Sequence, residues 1–352
     1  MGLTLEKATN LMIRSLTPNR PYHVQWLLTR KCNYRCVGCE VWREQDAREL
    51  STDEVKRGLD ILRELGTVEV VLSGGDPLLR NDIDEIIDYS SRSFITTVYD
   101  NGSMALKKVE ALRKANFVAI SIDSLDPVKN DYLRGVKGAW SSAVRAVEKL
   151  HDEGLPVCVS PTISQYNLDE ILPLTEHFLS KRVPVWFCLY SYDSGGDSNQ
   201  LFRIGKENEG FVIADKGKMI GLCDSLLDLK ARDNNVLVTS KILVAMRAFY
   251  AHGRRDWRCR ALQNFFVVDH LGRIAGCHLH DPVASIFDLP DRWGSEEFQS
   301  LRRMYAECER CTYLCYIFYS LHGSVLGNLE LARDRWRSAA LFLKRRRSKS
   351  LG

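Results

Sequence analysis

Three cysteines, Cys32, Cys36 and Cys39, fall within the segment TRKCNYRCVGCEVW at residues 29–42, directly after the apolar run VQWLL. Thiolates are soft ligands that select zinc or iron–sulfur centres. A structural zinc site takes four protein ligands, and so does a closed iron–sulfur cluster. Three thiols in one short loop therefore describe a metal centre left open on one side. Two plainer readings compete. One is a zinc knuckle completed by a distant residue. The other is a Cys-x-x-Cys redox pair of Cys36 and Cys39, which leaves Cys32 without a purpose.

A second group holds five of the eleven cysteines: Cys259, Cys277, Cys308, Cys311 and Cys315. The run FFVVD-HLG-RIAGC reads as a hairpin with Gly272 in its turn, giving Cys259-x12-Gly272-x4-Cys277. Downstream, CERCTYLC gives Cys308-x2-Cys311-x3-Cys315. Four of these five thiolates would also make a zinc site. The remaining Cys158, Cys188 and Cys223 stand alone and read as buried small hydrophobes. His278 and His280, next to Cys277, read as packed or surface residues.

These groups need a scaffold, and the chain supplies one. At 352 residues, 45% apolar and 27% charged, it has enough chain for a sizeable core. A net charge of +4 is too small to argue for nucleic acid. No apolar run approaches a membrane span, and the first 20 residues lack the apolar core of an export signal. A cytoplasmic, reducing compartment follows, so metal or catalytic use of the thiols is favoured over disulfides.

From Tyr22 to about Asp193, strand-like and helix-like segments alternate. The strands are read at Val24–Leu28, Val68–Ser73, Phe94–Tyr99, Phe117–Ile122, Leu155–Ser160 and Val183–Tyr190. Ser51 and Glu54 form a capping box at the start of the first helix, and Gly66 ends it. Later helices are read at 82–89, 104–114, 139–152 and 168–179. Continuous apolar strands alternating with helices mean a parallel sheet covered on its faces. The fold class is α/β: a partial (βα)6 TIM-like barrel, two units short of closure, with chemistry at the strands' C-terminal ends. The expected organisation is a lead-in at 1–20, the barrel at 21–195, a mostly helical connector at 196–255, a small cysteine-rich α+β unit at 256–330 and a basic tail at 331–352.

With Cys-x3-Cys-x2-Cys after strand one, the chain resembles the radical S-adenosylmethionine superfamily over roughly residues 20–195. The resemblance implies that Cys32, Cys36 and Cys39 hold three irons of a [4Fe–4S] cluster. The amino and carboxylate groups of S-adenosylmethionine then complete the fourth. It also implies a cosubstrate site at successive strand ends. Gly74, Gly75, Asp76 and Pro77 in LSGGDP resemble the family's Gly-Gly-Glu-Pro segment, with Asp76 in place of Glu. Asn101 in YDNG, Ser121 and Asp123 in SIDS, Arg134 in YLRG and Ser160 follow. One departure is Gly38, where most members carry an aromatic residue near the adenine. The implied chemistry is reductive cleavage of S-adenosylmethionine to a 5′-deoxyadenosyl radical that abstracts hydrogen from a small-molecule or peptide substrate. The electron would come from a donor such as flavodoxin or ferredoxin.

The second group resembles the family's twitch, or shortened SPASM, extension. Five thiols cannot ligate two full clusters, so the resemblance implies one auxiliary [4Fe–4S] cluster, as electron relay or substrate anchor. Cys259, Cys277 and Cys315 are its expected ligands, with Cys308 or Cys311. The basic tail reads as a docked helix, or as a peripheral contact with the inner membrane face that would suit radical addition to an unsaturated lipid. A non-catalytic zinc or iron–sulfur relay protein is the reading outside enzymes.

Overall fold

The computed structural model describes residues 19–43, 48–192, 210–309 and 314–322, with residues 7, 13, 205 and 329. Cys311 and the basic tail lie outside the described residues, as does most of the lead-in.

Five parallel strands carry the barrel: β1 (His23–Thr29), β2 (Glu69–Gly74), β3 (Ile95–Asp100), β4 (Phe117–Ile120) and β5 (Val157–Val159), side by side in that order. Their registers run His23↔Glu69, Glu69↔Ile95, Thr97↔Phe117 and Val118↔Val157. β6 (Thr162–Ile163) and β7 (Cys188–Leu189) form a separate short parallel pair. Single bridges from Val159 to Val185 and from Val185 to Val236 carry the wall onward. The long sixth strand expected at Val183–Tyr190 is therefore broken. Pro184 has no N–H to give the ladder, which interrupts pairing at its start.

Helix Thr52–Leu65 shows how sequence fixes the outer layer. Ser51 and Glu54 make the expected capping box, worth about 1 kcal/mol, and Gly66 closes the helix in the left-handed region. Val55, Leu59 and Leu62 are buried on the sheet, about 1.5–3 kcal/mol each. Two helices differ from expectation. Residues 104–114 split into a 3-10 turn, Ala105–Lys107, and a short helix, Val109–Leu112. Ala105 and Ala111 are both buried yet six residues apart, well off a common face of one helix. Helix Pro127–Arg134 was not foreseen, although Asp126 caps it, Pro127 opens it and Gly135 ends it.

The cysteine-rich hairpin, β8 (Phe265–Val268) and β9 (Arg273–Ala275), turns at Gly272 as expected. It is not a detached unit. β8 pairs in parallel with β1, and β10 (Ala284–Ser285) follows β9, so the barrel's sheet runs to eight strands. Helix Leu314–Leu321 then covers the barrel's open side. Tyr316 stacks on Phe265 of β8, Tyr319 stacks on His23 of β1, and Phe318 meets Trp186 near the far edge. Tyr319 also donates to Glu69, 2.9 Å away, which pairs with His23.

Candidate active site

The strand ends and the covering helix enclose a cavity of about 1170 Å³. Cys32, Cys36, Cys39, Gly74, Gly75, Asn101, Ser121, Asp123, Arg134 and Ser160 all line it. The residues read from the sequence as one site are thus brought together, apart from Asp76 and Pro77, which lie buried beneath the surface of the cavity.

Backbone approach explains the two glycines. The Gly75 N–H donates to Thr29 O at 2.7 Å, and the Asp76 N–H donates to Lys31 O at 2.8 Å. A Cβ on Gly74 would stand 2.4 Å from Thr29 O, and one on Gly75 would stand 2.3 Å from Lys31 O. These contacts dock the end of β2 on the start of the cysteine loop. Asn101 braces the same loop: its amide donates to Asn33, 2.9 Å away, and its carbonyl accepts from the Ser103 N–H.

Asp123 is held on three sides. Its carboxylate accepts from the Thr162 N–H at 2.8 Å, its own N–H donates to Asn130, and its carbonyl accepts from Asn167. So fixed, it faces Arg134 at 2.8 Å. Arg134 also bonds Cys36 and its Nη2 is held by Asp123, while its Nε is buried without a hydrogen-bond partner. The Asp123 carboxylate holds its guanidinium protonated against burial. A buried cation with an unused Nε–H donor at the rim of a thiol loop fits a carboxylate ligand.

Burial pushes the Cys32 and Cys39 thiols up to about 12, and raises Cys36 while Arg134 pulls it back. Such thiols become thiolates only when metal binds and displaces their protons. Among the described residues no three His, Cys, Asp or Glu side chains close on a single point, as around one metal ion. A cluster takes one thiolate per iron and tolerates the wider spacing of a loop.

Gly38 meets its missing aromatic from elsewhere. A Cβ there would stand 2.9 Å from both Phe211 and Tyr190, whose rings lie 5.0 Å apart and line the cavity. Sequence reading had no means to assign these two, because they come from distant segments. It also passed over Asp100. Asp76 and Asp100, at the ends of β2 and β3, are hydrogen-bonded to each other. Asp76 Oδ2 and Asp100 Oδ1 find no N–H or O–H donor. One proton shared by the pair satisfies both. Burial and mutual repulsion raise Asp100 well above the ordinary carboxyl range.

Cys259, Cys277 and Cys308 gather around Tyr305. Cys308 Sγ lies 3.7 Å from His280 Nε2, and the Tyr305 hydroxyl accepts from the Gly276 N–H. Cys315, expected among them, points elsewhere. It lines the barrel cavity, which those three do not, and it is hydrogen-bonded to Cys188. Cys188 is accordingly a cavity residue and not the buried filler its isolation suggested. Its neighbour across the fold was invisible along the chain.

Comparison with known proteins agrees with this geometry. Residues 26–177 match the family model of the Radical SAM superfamily. The chain is 33% identical over 195 residues to the AdoMet-dependent heme synthase of Nitratidesulfovibrio vulgaris, covering 53% of each chain. It is 33% identical over 157 residues to the mycofactocin maturase MftC of Mycolicibacterium smegmatis, covering 43% of this chain and 40% of that one. The chain spans about half the length of the curated relatives it matches. Its fold is similar to that of Streptococcus suis SuiB bound to S-adenosylmethionine, with TM-score 0.62 and 17% identity over 84% of this chain and 71% of that one. Residues 26–177 therefore carry a Radical SAM domain.

Proposed function

We propose that the protein is an enzyme that binds S-adenosylmethionine beside a [4Fe–4S] cluster on Cys32, Cys36 and Cys39. The observation that carries this reading is the Cys36–Arg134–Asp123 array in one cavity with the ends of four strands. When bound, the cluster and cosubstrate supply a 5′-deoxyadenosyl radical for hydrogen abstraction. Arg134 orients the cosubstrate carboxylate through its unused Nε–H, and Asp123 holds Arg134 in place. Tyr190 and Phe211 supply an aromatic face for the adenine next to Gly38. The Gly74–Asp76 segment and Asn101 fix the loop so that the three thiols keep their spacing.

Cys259, Cys277 and Cys308 are the auxiliary-cluster ligands in this reading, with Cys311 as the fourth. The electron comes from a flavodoxin or ferredoxin class donor. The substrate is a small molecule or a peptide. Relatives named as heme synthases, a probable GTP 3′,8-cyclase, a mycofactocin maturase and a bacteriocin biosynthesis protein support that range, and the cavity exceeds the roughly 300–1,000 Å³ of common small-ligand sites. Anaerobic reconstitution tests the assignment. The wild type should take up about eight irons, and the Cys32→Ala/Cys36→Ala/Cys39→Ala variant about four. Equal iron in both, or zinc in place of iron, would overturn it.

A further inference from the structure

Four thiols are used by neither cluster in that reading, Cys158, Cys188, Cys223 and Cys315, and of these Cys158, Cys188 and Cys315 line the cavity. Cys188 sits on β7 and Cys315 on the helix that covers the barrel, and both face the cavity. Cys315 and Cys188 are hydrogen-bonded to each other, and Ser160 Oγ lies 3.6 Å from Cys188 Sγ. Cys188 also feels the charges of Asp123 and Arg134, so the pair adjoins the cosubstrate side of the cavity. The bond from Cys315 draws Cys188 below the ordinary thiol range, while Cys315 keeps its proton.

Cys188 and Cys315 line the space in which a carbon radical would form. An S–H bond is weaker than an alkyl C–H bond, so such a radical takes a hydrogen atom from it downhill. We infer that Cys315 and Cys188 form a hydrogen-atom-donating thiol pair that quenches a carbon radical in this cavity. The inference rests on the radical reading of the site.

The step balances as follows. Cys315 gives its hydrogen atom to the carbon radical, forming C–H and leaving a Cys315 thiyl. Cys188 releases its proton to solvent and the resulting thiolate adds to that thiyl, forming an S–S bond that carries one excess electron. That electron passes to an oxidised iron–sulfur cluster as one-electron acceptor, which leaves a Cys188–Cys315 disulfide. A small dithiol reductant returns the pair to its starting state by exchange.

Two measurements test the pair. The first is turnover of the reconstituted enzyme in D2O, with reduced flavodoxin as electron source and no thiol in the buffer. S–H hydrogens exchange with solvent, so wild-type 5′-deoxyadenosine should carry deuterium at its 5′ carbon. Deuterium per molecule formed should fall severalfold in Cys315→Ala. Product without deuterium from the wild type, or label that persists in Cys315→Ala and falls in Tyr99→Phe, would overturn the proposal. Absence of 5′-deoxyadenosine from the wild type would instead overturn the radical reading beneath it. The second is mild diamide oxidation of the wild-type protein, mapped by peptide mass spectrometry. A Cys188–Cys315 crosslink is expected, and crosslinks elsewhere with these two left free would contradict the pairing.

Discussion

Arg134 Nη2 stands 2.8 Å from Asp123 Oδ2 on the cavity wall, with both side chains nearly enclosed. Removing one partner of such a pair leaves an uncompensated buried charge, at a cost of about 3–5 kcal/mol. Arg134→Ala should therefore lower stability by about that amount. Arg134→Lys keeps the charge and loses the planar fork, so it should fold and bind S-adenosylmethionine about tenfold more weakly. Equilibrium dialysis against labelled cosubstrate checks this. Unchanged affinity in Arg134→Lys would remove Arg134 from the site.

The Asp76–Asp100 pair predicts a pH dependence. An unfolded Asp releases its proton near pH 3.9. The folded pair keeps one proton above that point, because Asp100 is raised. The folded state therefore binds more protons than the unfolded state across the window above about pH 4, and stability falls as pH rises through it. Asp100→Asn can donate to Asp76 and still accept from the Gly102 N–H, which now bonds Asp100 at 2.7 Å. The variant should be more stable than wild type by about 1–3 kcal/mol at neutral pH, with the gap closing toward pH 4. Thermal melts of the cluster-free protein across that range decide it. A wild type that gains stability between pH 4 and 7 relative to Asp100→Asn would contradict the shared proton.

Much of this site was legible along the chain because its ligands are local. Cys32, Cys36 and Cys39 sit in one loop, and Gly74, Asn101 and Asp123 each end a strand whose apolar run marks it. What stayed hidden depends on distant contacts. Cys188 looked like filler because its partner arrives with the covering helix. Phe211 and Tyr190 fill the space beside Gly38 from other segments. The pairing of β8 with β1 joined two regions that composition had separated, since nothing along a strand names its neighbour.

Gly38 is the position where that hidden packing can be probed. A Cβ there meets two rings at 2.9 Å, closer than side chains normally approach. Gly38→Val should displace Tyr190 and Phe211, cost about 1–3 kcal/mol and weaken cosubstrate binding. Restored binding in a Gly38→Val/Phe211→Ala double variant would show that the rings, and not the loop, were disturbed. Binding unaffected by Gly38→Val would argue against the aromatic face.

The two cysteine populations near the C-terminus should separate by iron content. Cys277→Ser removes a thiol from the group around Tyr305 and should lose about four irons. Cys315→Ser should lose none, since that side chain faces the barrel cavity. Iron counts with Mössbauer spectra would read both. Loss of the auxiliary cluster in Cys315→Ser would return Cys315 to the ligand set.

The most direct test of the central claim is the fate of S-adenosylmethionine. The anaerobically reconstituted protein, given dithionite and S-adenosylmethionine, should release 5′-deoxyadenosine and methionine in equal amounts, and Cys36→Ala should release neither. Iron uptake without cleavage under any reducing condition would contradict the account.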